Sequence, residues 1–65
     1  MERLTEREKY ILDLLKDGYG NGEIAKLAFI SRHTVKAHIS SILRKIQAKN
    51  RTNAIYIALK TGLID

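Results

Sequence analysis

Ser31 stands three residues after Ala28, which closes a short apolar series of Ile24, Ala25, Leu27 and Ala28, and four residues before Val35, which opens a longer one. Serine is a preferred helix N-cap because its hydroxyl accepts from an amide of the first turn. The first series must therefore end before Ser31, leaving only the residues around Phe29 and Ile30 for a tight turn. Two helices joined by so short a turn cross steeply, as in a helix-turn-helix. No other feature restricts the fold as strongly.

The rest of the chain supplies helices on either side. Thr5-Glu6-Arg7-Glu8 is a capping box, followed by Ile11, Leu12 and Leu15 at helical spacing and by Gly18 as a left-handed stop. This predicts a first helix over about residues 6–17. Asn21 is the expected N-cap of the second helix. In the third, over about residues 32–46, Val35, Ile39, Ile42 and Ile46 step by four, three and four and form one buried stripe. The opposite side presents His33, Lys36, Ala37, Ser40 and Arg44, with Thr34, Ser41 and Lys45 along one edge. Small residues at Ala37 and Ser40 let the backbone approach a grooved partner. Thr52 or Asn53 is expected to cap a fourth helix that Gly62 ends. Its middle, residues 54–59, is apolar on nearly every face, so it needs cover on more than one side. Ala54, Ile55 and Ala58 are assigned to the core and Tyr56, Ile57 and Leu59 to a second copy of the chain. The expected fold is an all-α, four-helix domain containing a helix-turn-helix and spanning residues 1–65.

Charge points to the partner. Up to Glu23 the chain carries six acids against four bases; from Ile24 to Ile64 it carries eight bases and no acid. Ordinary surfaces mix both signs, so such a block favours a polyanion. A chain of 65 residues without Cys has neither disulfide nor thiolate metal site, and it buries a thin core. No apolar run approaches membrane-spanning length and Met1 is followed by Glu2 and Arg3, so a soluble cytoplasmic protein is expected. His33 and His38, five apart, do not share a helical face, and no cofactor is expected. Ser40, His38 and Asp13 form a hydrolytic triad only on paper, because nothing positions them around a pocket. There is no phosphate loop of the nucleotide-hydrolase kind either. An enzyme is not expected.

With these residues in place, the chain closely resembles the DNA-binding domain of the LuxR/FixJ/NarL family of bacterial transcription regulators. The matching stretches are Leu4-Thr5-x-Arg7-Glu8, Gly18, Asn21-x-Glu23-Ile24-Ala25, Ile30-Ser31-x-x-Thr34-Val35-Lys36-x-His38, Ile42-x-x-Lys45-Ile46, Arg51-Thr52-x-Ala54 and Gly62-Leu63-Ile64. The resemblance implies duplex-DNA binding by a dimer on inverted half-sites, with the fourth helix as the dimer contact. Such modules often follow a receiver or ligand-binding domain, and none is contained in these residues. Three positions depart from the pattern. Ala28 stands where Leu is usual, and Leu27 and Phe29 are expected to fill its volume. Gly20 replaces a frequent Ser or Thr, and Gly22 a frequent Lys, which removes two phosphate-contact candidates.

Lys36, Ala37 and Ser40 match the family's base-facing positions, and His33 shares their face. A Lys donates to guanine O6 and N7, a methyl touches the thymine methyl, and a hydroxyl reads several edges. Asn21, Ser31, Thr34 and Lys45 are the expected phosphate contacts, with Arg44 and Lys49 as weaker candidates; helix N-termini favour phosphate at Asn21 and Ser31. Arg51 is expected to pair with Glu8 or Glu23, and His38 to be packed and hydrogen-bonded. The expected function is sequence-specific binding of double-stranded DNA for transcriptional regulation, with RNA polymerase as a further candidate partner. The rivals are a promoter-reading module like that of a sigma factor, and a basic module that binds an acidic protein.

Overall fold

The structure is a computed structural model describing residues 2–65; Met1, included in the expected domain, lies outside the described residues. Four helices follow one another: α1 Glu6–Lys16, α2 Asn21–Ala28, α3 Arg32–Ile46 and α4 Arg51–Thr61, with no strand among the described residues. The Cα radius of gyration, 10.6 Å, is what a compact chain of this length should show, about 11 Å, so the four helices close on one core. The helix α3 packs against all three others.

Local chemistry sets the limits of each helix. The Thr5 hydroxyl accepts from the Glu8 amide at 3.0 Å while Glu8 Oε1 accepts from the Thr5 amide at 2.8 Å, completing the capping box. Ser31 caps α3 as expected, accepting from the Thr34 amide at 3.0 Å. Gly18, at φ +92°, turns the chain out of α1 through bonds from Gly18 to the Leu15 carbonyl and from Tyr19 to the Leu14 carbonyl.

Two caps differ from the sequence reading. The N-cap of α2 is Gly20, and Asn21 is already helical. Glu23 Oε1 accepts from the Gly20 amide at 2.9 Å. Gly is nearly as good an N-cap as Ser, so the shift costs only a few tenths of a kcal/mol and leaves the Asn21 side chain for another bond. The N-cap of α4 is Asn50 rather than Thr52 or Asn53: its Oδ1 accepts from the Asn53 amide at 2.8 Å. Asn53 in turn accepts from the Lys49 amide at 2.9 Å. This reciprocal pairing draws the helix start two residues earlier than Thr52 would.

The core comprises Leu4, Ile11, Leu12 and Leu15 around α1, Ile24, Ala25 and Ala28 of α2, the stripe Val35, Ile39, Ile42 and Ile46 of α3, Ala54 and Ala58 of α4, and Ile64. The α3 stripe is buried throughout, as its spacing predicts. The expectation for Ala28 fails. Leu27 is exposed and Phe29 is 93% exposed, so neither fills the volume of a missing Leu. Ala28 is itself buried, and the core closes on its methyl group. Phe29 sits in the left-handed region at φ 58°, where the chain leaves α2 and its side chain swings into solvent.

On α4, Ala54 and Ala58 are buried and Ile55 is half-buried, as expected. Ile57, assigned to a second copy, is half-buried against the core to the same class as Ile55; Tyr56 and Leu59 are the large apolar side chains of this helix that remain exposed. The tail folds back after Gly62, with the Leu63 amide on the Ala58 carbonyl at 2.9 Å and Lys16 Nζ donating to the Asp65 carbonyl at 2.6 Å.

Candidate nucleic-acid interface

The turn from α2 into α3 is short because both sides are fixed. The Ile30 amide bonds the Ala25 carbonyl at 3.0 Å, the Arg7 guanidinium donates to the Ala28 carbonyl at 3.1 Å, and Ser31 caps the next residue series. The helix α3 is thereby held across the body of the domain with one flank free. On that flank His33, Lys36, Ala37, Ser40 and Arg44 are all exposed, so the five residues expected on the outer face share it. Thr34 is half-buried and its hydroxyl lies 3.0 Å from that of Ser31, at the first turn of the helix. His38 is half-buried at the margin of the stripe but forms no hydrogen bond among the described residues, so only the packed half of that expectation is met.

Lys45 is placed differently from its expected phosphate role. Its ammonium donates to Glu8 Oε1 at 2.8 Å, and its side chain is only 15% exposed. Ser41 Oγ donates to Glu8 Oε2 at 2.7 Å, and the Thr5 amide supplies a third donor to the same carboxylate. Burial pushes the Glu8 carboxyl up, but the bonds from Lys45, Thr5 and Ser41 outweigh it and hold its pKa at about 2. The edge of α3 formed by Ser41 and Lys45 is thus turned inward, pinned to the first turn of α1. An i, i+4 pair on this edge, facing a Glu in a capping box, was the available sign of this role.

Arg51 also finds a different partner. Its guanidinium donates to Asn21 Oδ1 at 2.8 Å, joining the first turns of α4 and α2, and Glu8 and Glu23 are engaged elsewhere. Close by, Arg32 lies across Gly22: a Cβ added at Gly22 would come within 2.7 Å of the Arg32 Nη2 and 3.0 Å of its Nε. The sequence reading named neither arginine as a site residue.

Charge pairing divides the surface. On the α1 side Lys9 pairs with Glu6, and Lys16 with Asp13 and Asp17. Arg44 meets Glu2 at 3.1 Å with both side chains more than 60% exposed; such a pair is worth ~1 kcal/mol at most and exchanges readily for another anion. From Ile24 onward, Lys26, Arg32, Lys36, Lys49, Arg51 and Lys60 form no ion pair among the described residues. The unpaired cations therefore lie on α2, α3, α4 and the segment before α4, while the ion-paired acids belong to α1 and the residues flanking it.

A helix-turn-helix whose exposed flank carries Lys36 without an ion pair and Arg44 in one exposed pair points to a class, the DNA-binding domains. Residues 2–58 match the bacterial regulatory proteins of the luxR family. The chain belongs to that family: it is a LuxR-type helix-turn-helix DNA-binding domain of transcription regulators, a family that is not enzymatic.

Among relatives, the response regulator protein VraR of Staphylococcus aureus and that of Staphylococcus epidermidis are each 48% identical over 63 residues, which is 97% of this chain. The chain spans 30% of the length of these curated relatives. Among solved structures, the response regulator ChrA of a heme-sensing two-component system superposes with a TM-score of 0.92 at 41% identity, covering 98% of this chain and 32% of that one. Vibrio cholera VqmA in complex with ligand and DNA superposes at 0.87 and 32% identity, covering 95% of this chain and 27% of that one. Among the described residues no helix is long and apolar enough to cross a membrane.

Proposed function

We propose that this domain binds specific sequences of duplex DNA with α3 in the major groove, and that it regulates transcription as a homodimer on inverted half-sites. The observation that carries this reading is the division of charge on α3. One edge is locked onto Glu8, while the opposite flank presents Lys36 unpaired beside the small residues Ala37 and Ser40. Lys36, Ala37, Ser40 and His33 are the base-facing set. Ser31, Thr34 and Asn21 lie at the first turns of α3 and α2 and serve phosphates, with Arg44 released from Glu2. Lys45 is left out of this set, because leaving Glu8 would strand a buried carboxylate. Tyr56 and Leu59 supply the dimer contact, with Ile57 contributing only its uncovered part.

Relatives that are response regulators, and a structural neighbour solved with DNA, support the reading. The test is fluorescence anisotropy with a pool of random duplexes, followed by selection of the bound fraction. Steep salt dependence and enrichment of an inverted repeat, with half-sites about one helical turn apart, is the expected result. A folded protein that binds no duplex at low salt would overturn the reading. Enrichment of single half-sites by a protein that sediments as a monomer on DNA would overturn its dimeric part.

A further inference from the structure

We propose that Arg32, lying in the space left by the missing side chain of Gly22, is a DNA-phosphate contact of this domain, and that Gly22 is side-chain-free to let it reach there. The proposal rests on the DNA-binding reading above and assigns a role to two residues that the reading leaves unused.

Gly22 lies within the first turn of α2, where glycine costs a helix roughly 0.5–1 kcal/mol relative to alanine. Its φ is not in the left-handed region, so the backbone does not require glycine there. What an added Cβ would meet is the Arg32 guanidinium, at 2.7, 3.0 and 3.1 Å from Nη2, Nε and Cζ, the far end of a flexible side chain that would have to move aside. The guanidinium thus occupies the space that a side chain at position 22 would take, with Nη2 and Nε nearer than Cζ.

The fold gains little from this contact. Among the described residues Arg32 forms no hydrogen bond or ion pair, and a cation beside the first turn of a helix opposes the helix dipole. The Arg51 guanidinium, on Asn21 one residue away, adds a second positive charge. Glu23 is the one acid in this turn, and its Oε1 is engaged by the Gly20 amide, so an anion laid across the two guanidinium groups would find donors to meet it.

The placement also suits DNA geometrically. Arg32 is one helical turn before Lys36 and two before Ser40, so the three share the exposed stripe of α3. In a helix-turn-helix the recognition helix enters the groove with its N-terminal part while the preceding helix crosses the backbone. Arg32 starts on the reading stripe and ends over α2, at the place where groove gives way to phosphate. A guanidinium with no hydrogen-bond partner among the described residues keeps its donors for phosphate oxygens.

The test compares the wild type, R32A, G22A and the double variant on one selected duplex and on random duplex, across a salt series. R32A is expected to weaken both duplexes alike, by roughly three- to tenfold at ~0.1 M salt, and to reduce the slope of log K against log salt by about 0.9 for each bound protomer. G22A is expected to raise the thermal midpoint, through its better helix propensity, while lowering affinity. In the R32A background, G22A is expected to change affinity no further. A wild type that binds while R32A keeps the wild-type slope would overturn this inference and leave the DNA reading standing. So would G22A weakening the R32A variant as much as it weakens the wild type. Failure of the wild type itself to bind would instead remove the reading beneath it.

Discussion

Removing the charge of Glu8 is the sharpest perturbation of the scaffold that carries the recognition helix. The carboxylate is 4% exposed and receives three donors, from Thr5, Ser41 and Lys45. Lowering its pKa from 4.5 to about 2 corresponds to roughly 3 kcal/mol in favour of the folded, ionised form. A domain of this size has only about 3–10 kcal/mol in all. Glu8→Gln keeps the shape but weakens bonds to a charged acceptor, for an expected loss of about 1.5–3 kcal/mol. Glu8→Ala leaves Lys45 without its partner and should cost about 3–5 kcal/mol, close to the whole stability.

The sign of the pH dependence follows from the same shift. Because the folded pKa lies below the unfolded one, the Glu8 contribution is complete above about pH 4.5 and is lost as pH falls towards 2. Urea unfolding of wild type and Glu8→Gln at several pH values checks this. At an m value of ~1 kcal/mol/M, the Gln variant should unfold ~1.5–3 M earlier at neutral pH, and the gap should close between pH 4.5 and 2. Equal midpoints at neutral pH, or a gap that persists unchanged at pH 2, would refute the reasoning.

Three other outcomes are expected. Lys36→Ala should cost ~1–3 kcal/mol on the selected site and little on random DNA, measured by anisotropy; equal losses on both would make Lys36 a phosphate contact only. Lys45→Ala should destabilise the fold by about 3 kcal/mol in urea, yet leave the salt slope of DNA binding unchanged under conditions where the variant is folded. A slope lower by about 0.9 with unaltered stability would return it to the phosphate set. Phe29→Asn should raise stability by about 0.5–1 kcal/mol, since Asn tolerates the left-handed backbone and no packing is lost at a side chain this exposed. A fall in the thermal midpoint would show that Phe29 packs in solution.

Patterns confined to a single helix were legible in the sequence. The stripe Val35, Ile39, Ile42 and Ile46, the capping box at Thr5 and the cap at Ser31 depend on neighbours three or four residues away, and the structure places them as their spacing dictates. What escaped depends on pairs far apart in the chain. Position on the edge of α3 made Lys45 look outward, but Glu8, 37 residues earlier, is brought beneath it by the packing of α1. Arg51 reaches Asn21 rather than Glu8 or Glu23 because each carboxylate is occupied by a nearer donor. The start of α4 was misplaced by two residues among Asn50, Thr52 and Asn53, three adequate caps in four positions. Ala28 posed a volume problem with two solutions, filling by neighbours or closer approach, and composition does not choose between them. By its sequence Gly22 reads as a lost cation, whereas Arg32 occupies the space above it.

The measurement that tests the central claim most directly is a two-dimensional amide NMR titration of the domain with a selected duplex. The account predicts that the largest shifts fall on Ser31 and residues 32–40 of α3 and on the first turn of α2, and that the outer face of α1 around Glu6 and Asp13 stays still. Shifts concentrated on α1 and the C-terminal tail, with Lys36 and Ser40 unmoved, would contradict it.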